Sequence, residues 1–362
     1  MSLERALRAI QRESTDRIPH WELISCPAFE QAVSGVDPSR HPQQAALRTI
    51  AALDLDVAQV PETDDPLPPF PEDGVDEDGH RVGRWGGSTT WRWDWGQAFE
   101  SEEDVLAYEP LEHLDLSGAS VPGARDYTVP LEELALLFGE RVRRSRDLLG
   151  HLALPDVAGW YNTFFMWPLL TFGWELFLTT AMQYPEEIAR IMADFGEISI
   201  KVFEAWAIVC PPLVVSHDDI CYTRGPVFSP EWLRANVYPW YERLWAPLRR
   251  RGIKVVFMSD GNLDDVVDDV FACGADGIVA EPYTNLEDVA RRYPDKVIVG
   301  NADNRVLARG DPNEIYAEVE RCTRLGLDCP GYFYSVTNHI TYDLPVEAVR
   351  CYFEACDKLG RR

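Results

Sequence analysis

Five short apolar runs in the second half of this chain each end in side chains able to do acid–base or donor chemistry. Leu213-Val214-Val215-Ser216 runs into His217-Asp218-Asp219, and Ile253 to Met258 runs into Ser259-Asp260-Gly261-Asn262. Gly277 to Ala280 ends at Glu281, and Val297 to Gly300 ends at Asn301 and Asp303. Tyr332-Phe333-Tyr334 reaches Asn338 and His339. Carboxylates crowded into one place repel each other, so at least one should hold its proton to higher pH and serve as an acid or base near neutrality. The same groups could instead hold a cation, with His217 or His339 as nitrogen ligand. Asp260, Glu281 and His339 are the candidate acid and positioning groups, and His217, Asp218, Asp219, Asn262, Asn301, Asp303 and Asn338 the candidate substrate contacts. Asp218 and Asp219 are expected to point opposite ways, one into the site and one capping a neighbouring segment. Asn262 could equally cap the next helix. Arg224 and Arg305 also follow strands and could grip a substrate carboxylate bidentately, with a structural ion pair as the weightier competing role. Tyr161 and Phe165, in the aromatic stretch 158–175, could wall an apolar pocket or pack a long loop.

These residues become a site only if the runs are parallel strands. Helical periodicity falls between them, near 229–251, 262–273, 285–293, 311–326 and 345–358. Such alternation predicts parallel strands with crossover helices, whose C-terminal ends converge on one face. The expected fold is an α/β (β/α)8 TIM-type barrel, one domain over 1–362. Residues 1–150 would hold an N-terminal helical extension, early strands and a β-hairpin insertion, with regular units over 151–362. In the first part, helices are predicted over 3–13 and 42–53 and strands near 20–24, 55–60 and 151–157. The period-2 aromatics around Trp85 and Trp91 to Trp95 predict a surface hairpin after a proline-rich stretch, 61–73.

Sixty acidic residues against 34 basic give a net charge of -26, a field that repels nucleic-acid phosphates and disfavours polyanionic substrates. No apolar run approaches the roughly 20 residues that cross a bilayer. The first residues form an amphipathic pattern with no signal-peptide core, so a cytoplasmic location is expected. The eight cysteines show no C-x2-C pair or zinc-finger spacing and read as reduced, packed thiols. No phosphate-loop, dinucleotide or serine-hydrolase motif occurs.

Asp16-Arg17-Ile18-Pro19 resembles the opening of the uroporphyrinogen decarboxylase and cobalamin-dependent methyltransferase superfamily. His217-Asp218-Asp219, the turn at 258–262, Gly300-Asn301-Ala302-Asp303 with Leu307 and Gly310, and Asp343-Leu344-Pro345-Val346-Glu347 match its later landmarks in order. The resemblance implies a distorted barrel and two chemistries, and the chain departs from both. The decarboxylases grip tetrapyrrole propionates with an Arg-Gln-Ala-Gly-Arg segment, whereas here the stretch reads His20-Trp21-Glu22-Leu23-Ile24-Ser25-Cys26. Asp56 resembles their catalytic aspartate. The thiol-alkylating methyltransferases hold zinc with His-x-Cys and a later Cys, positions that correspond here to Met258, Asp260 and Asn338, so zinc is not expected there. The resemblance therefore implies a divergent branch with a Ser-Asp-Gly-Asn turn. Its expected reaction is methyl transfer between a small methylated compound and a corrinoid on a partner protein. The alternatives are decarboxylation or carbon–carbon cleavage of a small organic acid or tetrapyrrole through Asp56 and Arg224, and a non-catalytic binding barrel. Relatives are often dimers, which makes a homodimer the implied assembly.

Overall fold

Helix α1 (Ser2–Ile10) opens the chain and buries Ala6, Ala9 and Ile10. Helices α2 (Pro27–Ser34) and α3 (Pro42–Leu53) each begin on a proline, whose fixed φ and missing N–H suit a first turn. The computed structural model describes residues 2–67, 82–84, 90–92, 99–112, 129–337 and 339–362. Strand β1 (Val57–Ala58) is followed by β2 (Val82–Arg84) and β3 (Thr90–Arg92), which pair antiparallel as the aromatic alternation predicts. The rest of the expected hairpin, like Asn338, lies outside the described residues. Next come α4 (Glu102–Ala107), α5 (Leu131–Leu149), β4 (Leu154–Pro155), β5 (Gly159–Trp160), α6 (Met166–Phe172), α7 (Trp174–Gln183) and α8 (Pro185–Val209).

The regular half starts with β6 (Leu213–His217), a small hairpin of β7 (Cys221–Tyr222) and β8 (Gly225–Pro226), then α9 (Pro230–Asn236) and α10 (Tyr238–Arg250). It continues through β9 (Lys254–Ser259), α11 (Val267–Cys273), β10 (Gly277–Ala280), α12 (Leu286–Arg292) and β11 (Val297–Val299). It closes with β12 (Ala302–Asp303), α13 (Asn304–Arg309), α14 (Pro312–Asp328), β13 (Tyr332–Phe333), β14 (Val336–Thr337) and α15 (Val346–Leu359). The single helix expected over 229–251 is two, because Pro239 cannot donate a backbone hydrogen bond to carry α9 into α10. The helix expected from 262 starts at Val267, since the Asn262 side chain accepts the Asp264 N–H and holds a turn.

Six strands form one parallel sheet in the order β13-β11-β10-β9-β6-β5. Beyond it β1 pairs parallel with β4, and isolated parallel bridges join His20 to Tyr334 and Trp21 to Val57. Short pairings and single bridges thus continue the parallel sheet in the manner of a TIM-type barrel, without one closed ladder among the described residues. Inside it Trp21, Val57, Leu154, Leu213, Val256, Val279, Val297, Val299 and Phe333 pack as one buried cluster. Ala6, Ala9 and Ile10 of α1 belong to that same cluster, so the helical extension plugs the interior. The plug sits at the N-terminal ends of the strands: Arg5 of α1 reaches Asp56, the residue before β1, at 2.6 Å. A second and larger core lies between the sheet and the surrounding helices. Among the described residues no helix is long and apolar enough to cross a membrane, and all eight cysteines are free thiols.

Candidate active site

Side chains alternate along a strand, so the interior cluster dictates which exit residues face the barrel axis. Leu213 and Val215 point inward, and two residues on stands His217. Val256 and Met258 lead in the same way to Asp260, and Val279 leads to Glu281. Strands β6 and β9 are adjacent, with His217 in register with Met258. Three strand exits in a row therefore carry a histidine and two acids at the C-terminal mouth, where barrels of this kind place their sites.

The details are specific. His217 Nε2 lies 3.0 Å from Asp219 Oδ1, and the same oxygen accepts the Asp260 N–H at 2.8 Å. Glu281 Oε2 accepts the Gly261 N–H at 2.6 Å. Donor atoms of His217, Asp219 and Asp260 lie within 4.8 Å of one another. Tyr161 stands edge-on to the His217 ring, centroids 4.4 Å apart, and is half-buried beside these acids. Burial resists the charged imidazolium, but the Asp219 carboxylate beside it holds the His217 pKa above its ordinary value. Asp219 is held correspondingly low: burial would raise it, and the His217 charge and hydrogen bond overcome that. Glu281 moves the other way, raised by burial against the Gly261 N–H and raised further by the Asp219 charge. The site thus contains an ionised pair and a carboxyl that keeps its proton more readily, the division of labour acid–base catalysis uses.

Asp218 and Asp219 do face opposite ways. Asp218 is fully buried and accepts the N–H groups of Phe164, Phe165 and Met166 and the Tyr241 hydroxyl, all at 2.7–3.0 Å. Burial pushes its pKa up to about 7 against those four donors. It anchors the start of α6 rather than a substrate. Several other expected contacts are also structural. Asn301 is buried, donating to the Glu281 and Thr284 carbonyls and accepting from Arg321. It braces the Glu281 loop from behind. Asp303 caps α13 and pairs with Arg305, which stacks over Tyr283 at the rim. Phe165, fully buried against Phe177 and Phe228, is core and not pocket wall, because Asp218 draws its backbone inward. Arg224 is exposed at the turn between β7 and β8. His339 is half-buried two residues beyond β14 and is not among the three clustered donors. Asp56 lies at the other end of the barrel, fully buried with Arg5, its pKa pushed up to about 6 by burial against that guanidinium. The structure does not bring Asp56 and Arg224 together.

One further acid at a strand end escaped the sequence reading. Asp156 follows Leu154 by two, so it exits inward, and its Oδ2 accepts from Trp21 Nε1 at 3.1 Å and Gln59 Nε2 at 3.4 Å. Burial raises its pKa against those two donors. The strand expected over 151–157 hid it, because β4 ends at Pro155 and Asp156 is the residue that follows it.

The zinc set of the thiol-alkylating relatives does not fit here. Met258 offers a thioether packed against the interior cluster in place of the histidine, and Asp260 a carboxylate in place of the cysteine, so the His-x-Cys pair that defines that set is absent.

A parallel α/β barrel with an acidic mouth defines the class of this protein. Within it, the profile of the family described as "Uroporphyrinogen decarboxylase (URO-D)" matches residues 171–359, and the chain belongs to that family. No curated protein matches. Among solved structures, a methyltransferase from Methanosarcina mazei is similar over 99% of this chain and 98% of its own, with TM-score 0.63 and 16% identity. A sugar phosphate isomerase/epimerase from Parabacteroides distasonis covers 95% of this chain and 96% of its own at TM-score 0.41 and 9% identity.

Proposed function

We propose that this family member transfers a methyl group between a small methylated compound and a corrinoid carried by a partner protein. The observation that carries the reading is the cluster of His217, Asp219, Asp260 and Glu281 at one end of the barrel. Such a mouth repels the several carboxylates of a tetrapyrrole but suits a neutral or cationic methyl donor. The likeness to an archaeal methyltransferase over nearly the whole chain is consistent with it.

A reduced corrinoid supplies the nucleophile that accepts the methyl group. The bond between methyl carbon and heteroatom breaks and its electron pair stays on the heteroatom; an oxygen leaving group then needs a proton there, whereas a quaternary ammonium donor leaves as a neutral amine and needs none. Glu281, whose pKa is raised, is positioned as that acid. The His217–Asp219 pair and Asp260 orient the heteroatom, and Tyr161 closes one wall.

Anaerobic incubation with cob(I)alamin and a panel of methoxylated, methylamine and quaternary ammonium donors should produce the absorbance of methylated cobalamin. Glu281→Gln should slow transfer from methoxylated donors by about 10²-fold or more, as for loss of a general acid, and leave transfer from quaternary ammonium donors little changed. Absence of methylated product with every donor, or release of CO2 without cobalamin, would refute the proposal.

A further inference from the structure

We infer that His217, Asp219 and Asp260 form a binding site for one divalent transition-metal cation of the zinc or manganese kind. The site lies in the same mouth as the proposed methyl transfer, so it deepens that reading and rests on it for its catalytic use. It differs from the relatives' zinc set, sharing only the Asp260 position and drawing its other two donors from the neighbouring strand exit.

The geometry is that of a partly assembled coordination sphere. One imidazole nitrogen and two carboxylate oxygens lie within 4.8 Å of one another. Nitrogen and oxygen donors sit about 2 Å from zinc, so two of them around one tetrahedral ion are about 3.3 Å apart. Closing the set needs side-chain shifts below about 1 Å, within the reach of χ rotations. The donors come from adjacent strands of a rigid sheet, which holds their backbones in place.

The surroundings are those of a ligand set. His217 Nε2, the atom that would coordinate, already faces the Asp219 oxygen at 3.0 Å. A cation would take the place of the proton between them. The ring plane is set by Tyr161 against its edge, and Asp219 is held by the Asp260 N–H, the outer contacts that orient metal ligands. Asp219, Asp260 and Glu281 bring three carboxyl groups to a spot where a single imidazole supplies the positive charge of the donor set. A nitrogen with two carboxylates is a borderline-to-hard donor set, matched to zinc or manganese rather than to a thiophilic ion. Three protein donors leave coordination positions open toward the axis, where a Lewis acid would polarise the heteroatom that leaves with its electron pair.

The test is metal binding by the full chain, read without any turnover. After chelator treatment, calorimetric titration with Zn2+ and Mn2+ should give one bound equivalent, and bound Mn2+ should lose its free-ion EPR signal. His217→Gln and Asp219→Asn should each weaken binding by about tenfold or more, with their circular dichroism spectra unchanged. The melting temperature of the wild type should rise with added metal, and that of the double variant should not. Cys210→Ser, which removes the exposed thiol, should leave the stoichiometry at one. No stoichiometric binding to the wild type, equal binding by a folded double variant, or binding lost with Cys210→Ser would each overturn the inference. A protein that binds metal yet methylates no corrinoid would sink the proposed reaction and leave this site standing, and the converse result would do the reverse.

Discussion

Glu22 is a fully buried carboxyl whose two oxygens accept the Val336 N–H at 2.9 Å and the Tyr352 hydroxyl at 2.6 Å. Burial pushes its pKa up to about 8, against those two donors. His20, with Nδ1 3.6 Å from Glu22, is also buried, and its pKa falls well below the ordinary value. Both side chains are therefore neutral in the fold at pH 7. The consequences for stability have opposite signs. A carboxyl raised on folding contributes stability that is whole below its unfolded pKa and is lost as pH climbs through the folded one, here from about 4.5 toward 8. A depressed histidine contributes stability above about 6.5, lost as pH falls. Between about pH 7 and 8 the His20 contribution is complete and that of Glu22 is still declining. Urea unfolding across this range should show stability falling with pH, and Glu22→Gln should flatten that part of the slope. An unchanged slope in the variant would show that the carboxyl is ionised in the fold.

At the scale of elements, the mouth depends on helices that hold strands β6 and β9 in place. Helices α8 and α10 approach closely at Gly196, where a β-carbon would come within 2.3 Å of the Trp240 ring. That ring stacks on Phe164, with centroids 5.0 Å apart, and Phe164 donates its N–H to Asp218. Gly196→Ala gains helix propensity but must displace a large stacked ring. The expected net loss is about 1–3 kcal/mol, as for other overpacked cores. Chemical denaturation measures it, and a variant as stable as the wild type would mean that α10 can shift freely. Trp240→Leu should relieve the clash when combined with Gly196→Ala, giving a double-mutant coupling of favourable sign.

For the molecule as a whole, the two ends of the barrel divide their work. The N-terminal end is closed by α1, whose Arg5 reaches Asp16 and Asp56 with Asp54 close by, while Arg17 joins Asp54 to Asp357. Asp56 is fully buried, so removing Arg5 would leave its charge only the His20 N–H at 2.8 Å and Arg17 at 3.8 Å. Arg5→Ala should cost about 3–5 kcal/mol of stability, the range for breaking a buried pair from one side. Under conditions where the variant stays folded, its rate in the proposed methyl transfer should equal that of the wild type. A large drop in rate with folding intact would return Asp56 to the list of catalytic groups.

The sequence by itself determined the alternation of strands and helices, the polar residue at each strand exit and the family. Those features are local: hydrophobic period and turn chemistry write them into stretches of about ten residues. His217, Asp260 and Glu281 were legible for that reason, and so was the opposed orientation of Asp218 and Asp219. Which of the two aspartates faces the mouth depended on which strand residues pack in the interior, and that follows only from closing the sheet. Phe165 stayed open between pocket wall and core, and Asn301 read as a substrate contact, because nothing local marks the core behind them. Asp156 meets Trp21 across 135 positions of chain, and Asp56 meets Arg5 across 51. Contacts of that span exist only once parallel strands lie side by side, so the tertiary structure alone decided which acids gather in the candidate site and which bind the N-terminal helix to the barrel.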